Sequence, residues 1–255
     1  MTPTLDTLLA RVAALDEAAL SRPWSFRDKP MEVRYALYRT LEDAQEALVP
    51  VAARPHPESR RILTLAERAF GELRGLLAGL PDDLLDRPPA EGQWPIRETL
   101  RHVLAVERRY AAQTAYAVAR ADTDPVRLAG GLPEAPAEDV AGGIGAILGR
   151  LAHARAEANR RLGEVAEAAM TRPAVWVHYD VDVRFRLHRF AAHLAEHTVQ
   201  CEKILAALGW PVTEGRHVAR RLGAALGELE GLGGTAQALG IAARLGERLD
   251  SAARA

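Results

Sequence analysis

Cysteine is almost absent from this chain. Cys201 is the only one in 255 residues, so no disulfide can form within it. That usage fits a reducing cytoplasm, which is the expected location. The opening stretch MTPTLDTLLARVAALDEAAL lacks a basic start followed by an apolar run and carries Asp6, Asp16 and Glu17, so no signal peptide is read there. No apolar stretch approaches the roughly 20 residues needed to span a bilayer. An excess of one charge is also missing: the net charge is −1 although 26% of residues are charged. This argues against the broad electrostatic footprint that nucleic acid or an anionic membrane would require. A phosphate-binding glycine loop, a dinucleotide fingerprint and a cysteine–histidine zinc framework are all lacking, and Gly142-Gly143 and Gly231-Leu232-Gly233-Gly234 have none of the necessary partners. The remaining partner classes are a small molecule or another protein.

What is present favours helices. Hydrophobic residues make up 48%, enough to bury a sizeable core. Alanine, leucine, arginine and glutamate dominate, all good helix formers. Strand-like runs are scarce, and Val175-Trp176-Val177 is the nearest candidate. Apolar periodicity and breaking residues predict helices near 4–20, 31–53, 58–79, 94–120, 137–170 and 183–208. Two amphipathic segments follow, near 213–230 and 235–252. Residues 80–93, 121–136 and 171–182 read as loops. No internal repeat is apparent. The expected architecture is all-α, with a four-helix bundle over 58–210 and helical extensions at 1–57 and 211–255 packed around it.

The segment 183–208 contains His193-Leu194-Ala195-Glu196-His197. Histidines four apart share one helix face. Both fall beside the stripe Phe190, Leu194, Cys201, Ile204 and Leu208, so both point toward the bundle axis. Two imidazoles so placed can hold one metal ion. They can equally be core histidines satisfied by hydrogen bonds, and spacing alone does not separate these readings.

Two stretches resemble a known family. Trp94-Pro95-Ile96-Arg97-Glu98-Thr99-Leu100-Arg101-His102-Val103 looks like the opening of the second bundle helix of DinB-like proteins, a tryptophan before a helix that carries a histidine ligand. Phe190-Ala191-Ala192-His193-Leu194-Ala195-Glu196-His197-Thr198-Val199-Gln200-Cys201-Glu202-Lys203 is similar to their fourth bundle helix, which supplies two ligands as H-x-x-x-H. The resemblance covers about residues 58–210. It implies an antiparallel four-helix bundle in which His102, His193 and His197 bind a divalent ion, often zinc or nickel. It also implies, as one function, an enzyme that uses a low-molecular-weight thiol such as bacillithiol or mycothiol, of S-transferase or isomerase type. The alternatives are a non-catalytic metal-binding or stress-associated bundle and a dimeric interaction module with structural histidines. Pro95 stands where relatives often carry a serine or threonine cap. His102 lies at the edge of its apolar stripe, so its assignment rests on resemblance rather than periodicity.

Two carboxylates are candidates for proton transfer, Glu107 and Glu196. Glu107 falls near the centre of its helix's apolar stripe, where a carboxylate is costly unless paired. It could orient a histidine ligand or carry protons, and it could simply pair with an arginine. Glu196 completes H-x-x-E-H, a pattern also found in one class of metallopeptidases. That class needs a downstream acidic ligand and a different fold, so the peptidase reading is set aside. Cys201, one turn beyond His197, reads as a small core residue rather than a fourth ligand. His178, Asp180 and Asp182 could approach the open end of the bundle. Arg22-Pro23-Trp24-Ser25-Phe26-Arg27 reads as a pin for the N-terminal segment.

Overall fold

Thr4, Asp16, Asp182 and Thr213 each turn a side-chain oxygen onto a backbone N–H in the first turn of a helix, and so fix where four of the helices begin. The computed structural model describes residues 4–128, 130 and 136–254, so part of the loop expected at 121–136 lies outside the described residues. The helices are α1 (Leu5–Ala13), α2 (Glu17–Leu20), α3 (Val33–Ala52), α4 (Glu58–Leu77), α5 (Asp82–Leu85), α6 (Ile96–Ala119), α7 (Ile144–Leu162), α8 (Val183–Ala207), α9 (Glu214–Gly231) and α10 (Thr235–Arg254). None of them is long and apolar enough to cross a membrane. The expected all-α class holds, with corrections. The helix expected over 4–20 is two, because Asp16 caps a new start at α2. The one expected over 137–170 is shorter: Gly142 at φ 83° separates a 3-10 turn, Ala137–Val140, from α7.

The loop expected at 171–182 is a hairpin, and so is the stretch between the first two expected helices, whose second strand takes the first residues of the helix expected from 31. Strands β1 (Pro23–Phe26) and β2 (Lys29–Glu32) pair antiparallel, as do β3 (Pro173–Trp176) and β4 (Tyr179–Asp182). Their turns place Arg27, Asp28 and Val177 at positive φ, where glycine or asparagine is usual. The aromatic residues of the N-terminal segment do pin it: Trp24, Phe26 and Tyr35 stack together and pack against Ala252 of α10.

Helices α4, α6, α7 and α8 form a four-helix bundle in which α8 packs on α4 and α6, and α7 on the same two from the other side. Its core runs from Ile62, Phe70 and Leu77 through Leu100, Val103 and Leu151 to Leu187, Phe190 and Cys201. One buried ionic group crosses it. Arg155 of α7 is 1% exposed, its Nε donates to Glu67 Oε1 of α4 at 3.1 Å, and its Nη1 donates to Glu107 of α6. Asn159 also donates to Glu67, at 2.6 Å. An arginine can be buried here because two carboxylates meet it.

The helices outside this bundle pack on one another: α1, α3, α9 and α10 share cores of their own. The two sets join along α4 and α9, which cross so closely that a Cβ on Gly71 would lie 2.0 Å from the carbonyl oxygen of Gly223. A Cβ on Gly227 would lie 2.3 Å from that of Glu67. Only glycine permits that approach.

The expectation of no internal repeat is corrected by the fold. The unit β1-β2-α3 recurs as β3-β4-α8, each residue 150 positions on, from Pro23 and Pro173 to Ala52 and Glu202. Strand register is the same, and Val33 N donates to Arg22 O as Val183 N donates to Arg172 O, at 3.0 and 3.1 Å. Arg22, Pro23, Val33, Arg34, Leu37, Arg39 and Glu46 have identical counterparts in Arg172, Pro173, Val183, Arg184, Leu187, Arg189 and Glu196.

Candidate metal centre

The long α8 sets the site. His193 and His197 lie one turn apart on its inward face and are both buried. The half-buried His102 reaches them from α6, nearly two turns into a helix that starts immediately after Pro95. The three ring nitrogens converge: His193 Nε2 lies 3.2 Å from His102 Nε2 and 2.9 Å from His197 Nε2. One donor atom from each histidine lies within 4.8 Å of the others. Three imidazoles bound to one ion at about 2.0–2.1 Å hold their nitrogens about 3 Å apart, so this spacing suits a shared ion. The tautomers agree with that. His197 Nδ1 lies 2.8 Å from Gln200 Oε1, an acceptor, so Nδ1 carries the proton and the Nε2 lone pair faces the other histidines.

Electrostatics favour the neutral form of His193 and His102. Burial, then the charges of His197, His102 and Arg189, push the His193 pKa down to about 3. Burial, His197 and Arg109 lower that of His102. A neutral imidazole is the ligand form. Trp94 packs on the outer side of His102, ring centroids 5.6 Å apart, and Tyr110 packs edge-on to His193 at 5.7 Å.

His102 and His193 open onto a cavity of about 510 Å³ walled by α6, α8, the β3 strand and residues 126–128. His102, His193 and Glu196 form one end of it. Glu196 therefore sits beside the histidines as expected. Glu107 does not reach them: where the sequence allowed contact with a histidine, it is held in the core by Arg155. Burial pushes its carboxyl up while Arg155 opposes that. Cys201 is a buried core thiol, pushed up to about 12 by desolvation, and it stands outside the histidine cluster. His178 and Asp180 are exposed on the β3–β4 hairpin, and Asp182 caps α8 by accepting from Phe185 N at 2.7 Å. Sequence reasoning passed over Gln200, Tyr110 and the arginines of the cavity. Gln200 stood three residues after His197, on the adjacent turn, where a hydrogen-bonding partner could have been sought.

The recurring unit does not repeat this chemistry. The counterpart of His193 in α3 is Asp43, and that of His197 is Ala47. Asp43 is ion-paired with Arg39 at 3.0 Å, Arg248 at 2.8 Å and Arg244 at 3.3 Å.

No curated protein matches the sequence. Among solved structures, the chain is similar to YfiT from Bacillus subtilis, described as a probable metal-dependent hydrolase with an unusual four-helix bundle topology. The two are 14% identical with a TM-score of 0.48, and the match covers 62% of this chain and 94% of that one. The sequence itself matches the DinB superfamily over residues 65–201, just over half of its length and the stretch that holds all three histidines. The chain belongs to the DinB superfamily.

Proposed function

We propose that the chain is a metal-dependent enzyme in which His102, His193 and His197 hold one divalent ion, zinc or nickel. Its substrate is a small molecule, and a low-molecular-weight thiol of the bacillithiol or mycothiol kind is the second reactant, in an S-transfer or isomerisation. The observation that carries this reading is the convergence of three imidazole nitrogens, two of whose rings, His102 and His193, line a roomy cavity. Three protein ligands leave coordination positions open, which suits catalysis rather than a closed structural site. A divalent ion supplies Lewis acidity there and lowers the pKa of a thiol brought to it.

The chain's own residues do the rest. The three histidines turn ring nitrogens toward one point, and burial already disfavours a proton on His193 and His102. Gln200 holds the His197 ring in orientation. Glu196, on the cavity wall, accepts the proton that the thiol releases. Tyr110 and Trp94 close two sides of the ligand set and limit access of water. The test is turnover: tag-free protein incubated with thiol and a small electrophile, then with chelator, then with zinc or nickel restored. The reading expects turnover that stops with chelation and returns with metal. Tight metal binding with no turnover for any thiol would favour a non-catalytic metal-binding protein instead.

A further inference from the structure

Arg155 and Arg186 are equally buried, each 1% exposed, but the fold treats them differently. Arg155 is met by Glu67 and Glu107. Among the described residues no carboxylate meets Arg186. Its Nη1 donates to Val175 O at 3.1 Å, its guanidinium lies 5.1 Å from the centre of the Tyr110 ring, and its Nε and Nη2 have no protein partner. Nε and Nη2 form the side edge of the guanidinium fork, the edge that pairs with both oxygens of a carboxylate. A buried cation without a counterion is costly, and burial draws the Arg186 pKa down to about 10, still charged at neutral pH.

Arg186 lines the same cavity as the histidines. So do Arg109, Arg127 and Arg189, whereas the acidic side chain lining it is Glu196, at the histidine end. Arg189 lies with its guanidinium 4.5 Å from the centre of the Trp176 ring, and its Nε is also without a protein partner. Arg186 and His193 are seven residues apart on α8, so about 10 Å of helix axis separates the unmatched cation from the histidines. Tyr110 spans the interval, touching both. The cavity thus has an anion-seeking end and a metal-seeking end.

We propose that this cavity binds the carboxylate of a small organic acid through Nε and Nη2 of Arg186, with Arg189 as a second cation, and that the rest of the acid extends toward the histidines. The last clause rests on the metal reading above; the carboxylate site itself does not.

The experiment is isothermal titration of tag-free protein, first metal-free and then zinc-loaded, with hexanoate, its neutral isostere hexanamide, and inorganic phosphate. Hexanoate is expected to bind one per chain in both preparations, at least tenfold tighter than hexanamide or phosphate. Arg186→Met should weaken hexanoate at least tenfold and leave hexanamide unchanged. Arg186→Lys, which keeps the charge and loses the fork, should fall between, and Arg189→Met should weaken hexanoate while folding normally by circular dichroism, which keeps the test open if Arg186→Met does not fold. Equal binding of hexanoate and hexanamide, hexanoate affinity unaltered in both Arg186 variants, phosphate binding as tightly as hexanoate, or no saturable hexanoate binding would each overturn the proposal. Protein that binds hexanoate in this pattern but takes up no zinc would instead overturn the histidine reading and leave the carboxylate site standing.

Discussion

Asp43 of α3 occupies the position that His193 occupies in α8, in two hairpin–helix units that share strand register and a string of identical residues. One copy aims an imidazole at two others. The other closes the same position with arginines from its own helix and from α10. The histidine cluster therefore belongs to one half of the fold, and the matching position in the other half is neutralised internally.

Removing Asp43 should expose that difference. Asp43→Ala leaves Arg39, Arg244 and Arg248 without their common carboxylate in a partly buried setting. The expected loss is about 3 kcal/mol, the lower end for breaking a buried pair because the arginines keep some contact with water. Urea denaturation measures it, and metal content should not change.

A glycine at the α4–α9 crossing and one on the open face of α7 predict opposite outcomes on substitution. At Gly71 a Cβ would meet the Gly223 carbonyl at 2.0 Å, backbone that no rotamer change can move aside. Gly71→Ala should destabilise by about 3 kcal/mol, the upper range for overpacking. At Gly149, in the middle of α7, a Cβ would meet open space. Gly149→Ala should stabilise by about 0.5–1 kcal/mol through helix propensity alone. Thermal denaturation of the two variants checks both signs.

Gln200→Ala removes the partner of His197 Nδ1 while leaving all three ligands in place. Zinc affinity should fall by about 10- to 100-fold, the range for loss of a hydrogen bond behind a metal ligand. Competition with a chromophoric chelator reads this directly. An affinity equal to the parent protein would show that the histidine ring is oriented by packing alone.

Cys201 should be silent in the native protein. Burial holds its pKa near 12 against an ordinary value of 9.0, so below pH 9 it remains a shielded thiol. Ellman's reagent should detect it only after denaturation. The same shift gives a pH dependence. The folded state holds this proton more tightly than the unfolded state, so its contribution to stability is intact below about pH 9 and is lost as pH rises toward 12. Cys201→Ala should remove that part of the alkaline sensitivity.

Much of this was legible in the sequence, for identifiable reasons. The long helices carry strong 3.6-residue periodicity and clear stops, and His193 and His197 declare a shared face by spacing alone. His102 did not: its place at the edge of the stripe makes it half-buried, and only resemblance to a family tied it to the other two. Val175-Trp176-Val177 hinted at β3, but the hairpin pairing was hidden because β1 and β3 are four residues long, begin with proline and turn through Arg27-Asp28 and Val177-His178 rather than a glycine pair. The repeat was hidden because its identical residues are few and scattered over 30 positions, and although Val33 and Leu37 match Val183 and Leu187, other inward positions differ, as Phe190 does from Thr40 and His193 from Asp43. Arg186 was invisible because an arginine on a helix reads as surface until its neighbours are known.

The central claim is that His102, His193 and His197 together bind one ion. The direct measurement is elemental mass spectrometry of purified, tag-free protein beside His102→Ala and His193→Ala. The account predicts about one transition metal per chain in the parent, zinc or nickel, and its loss from both variants. A parent protein that carries no metal and takes up neither zinc nor nickel when they are offered would contradict it.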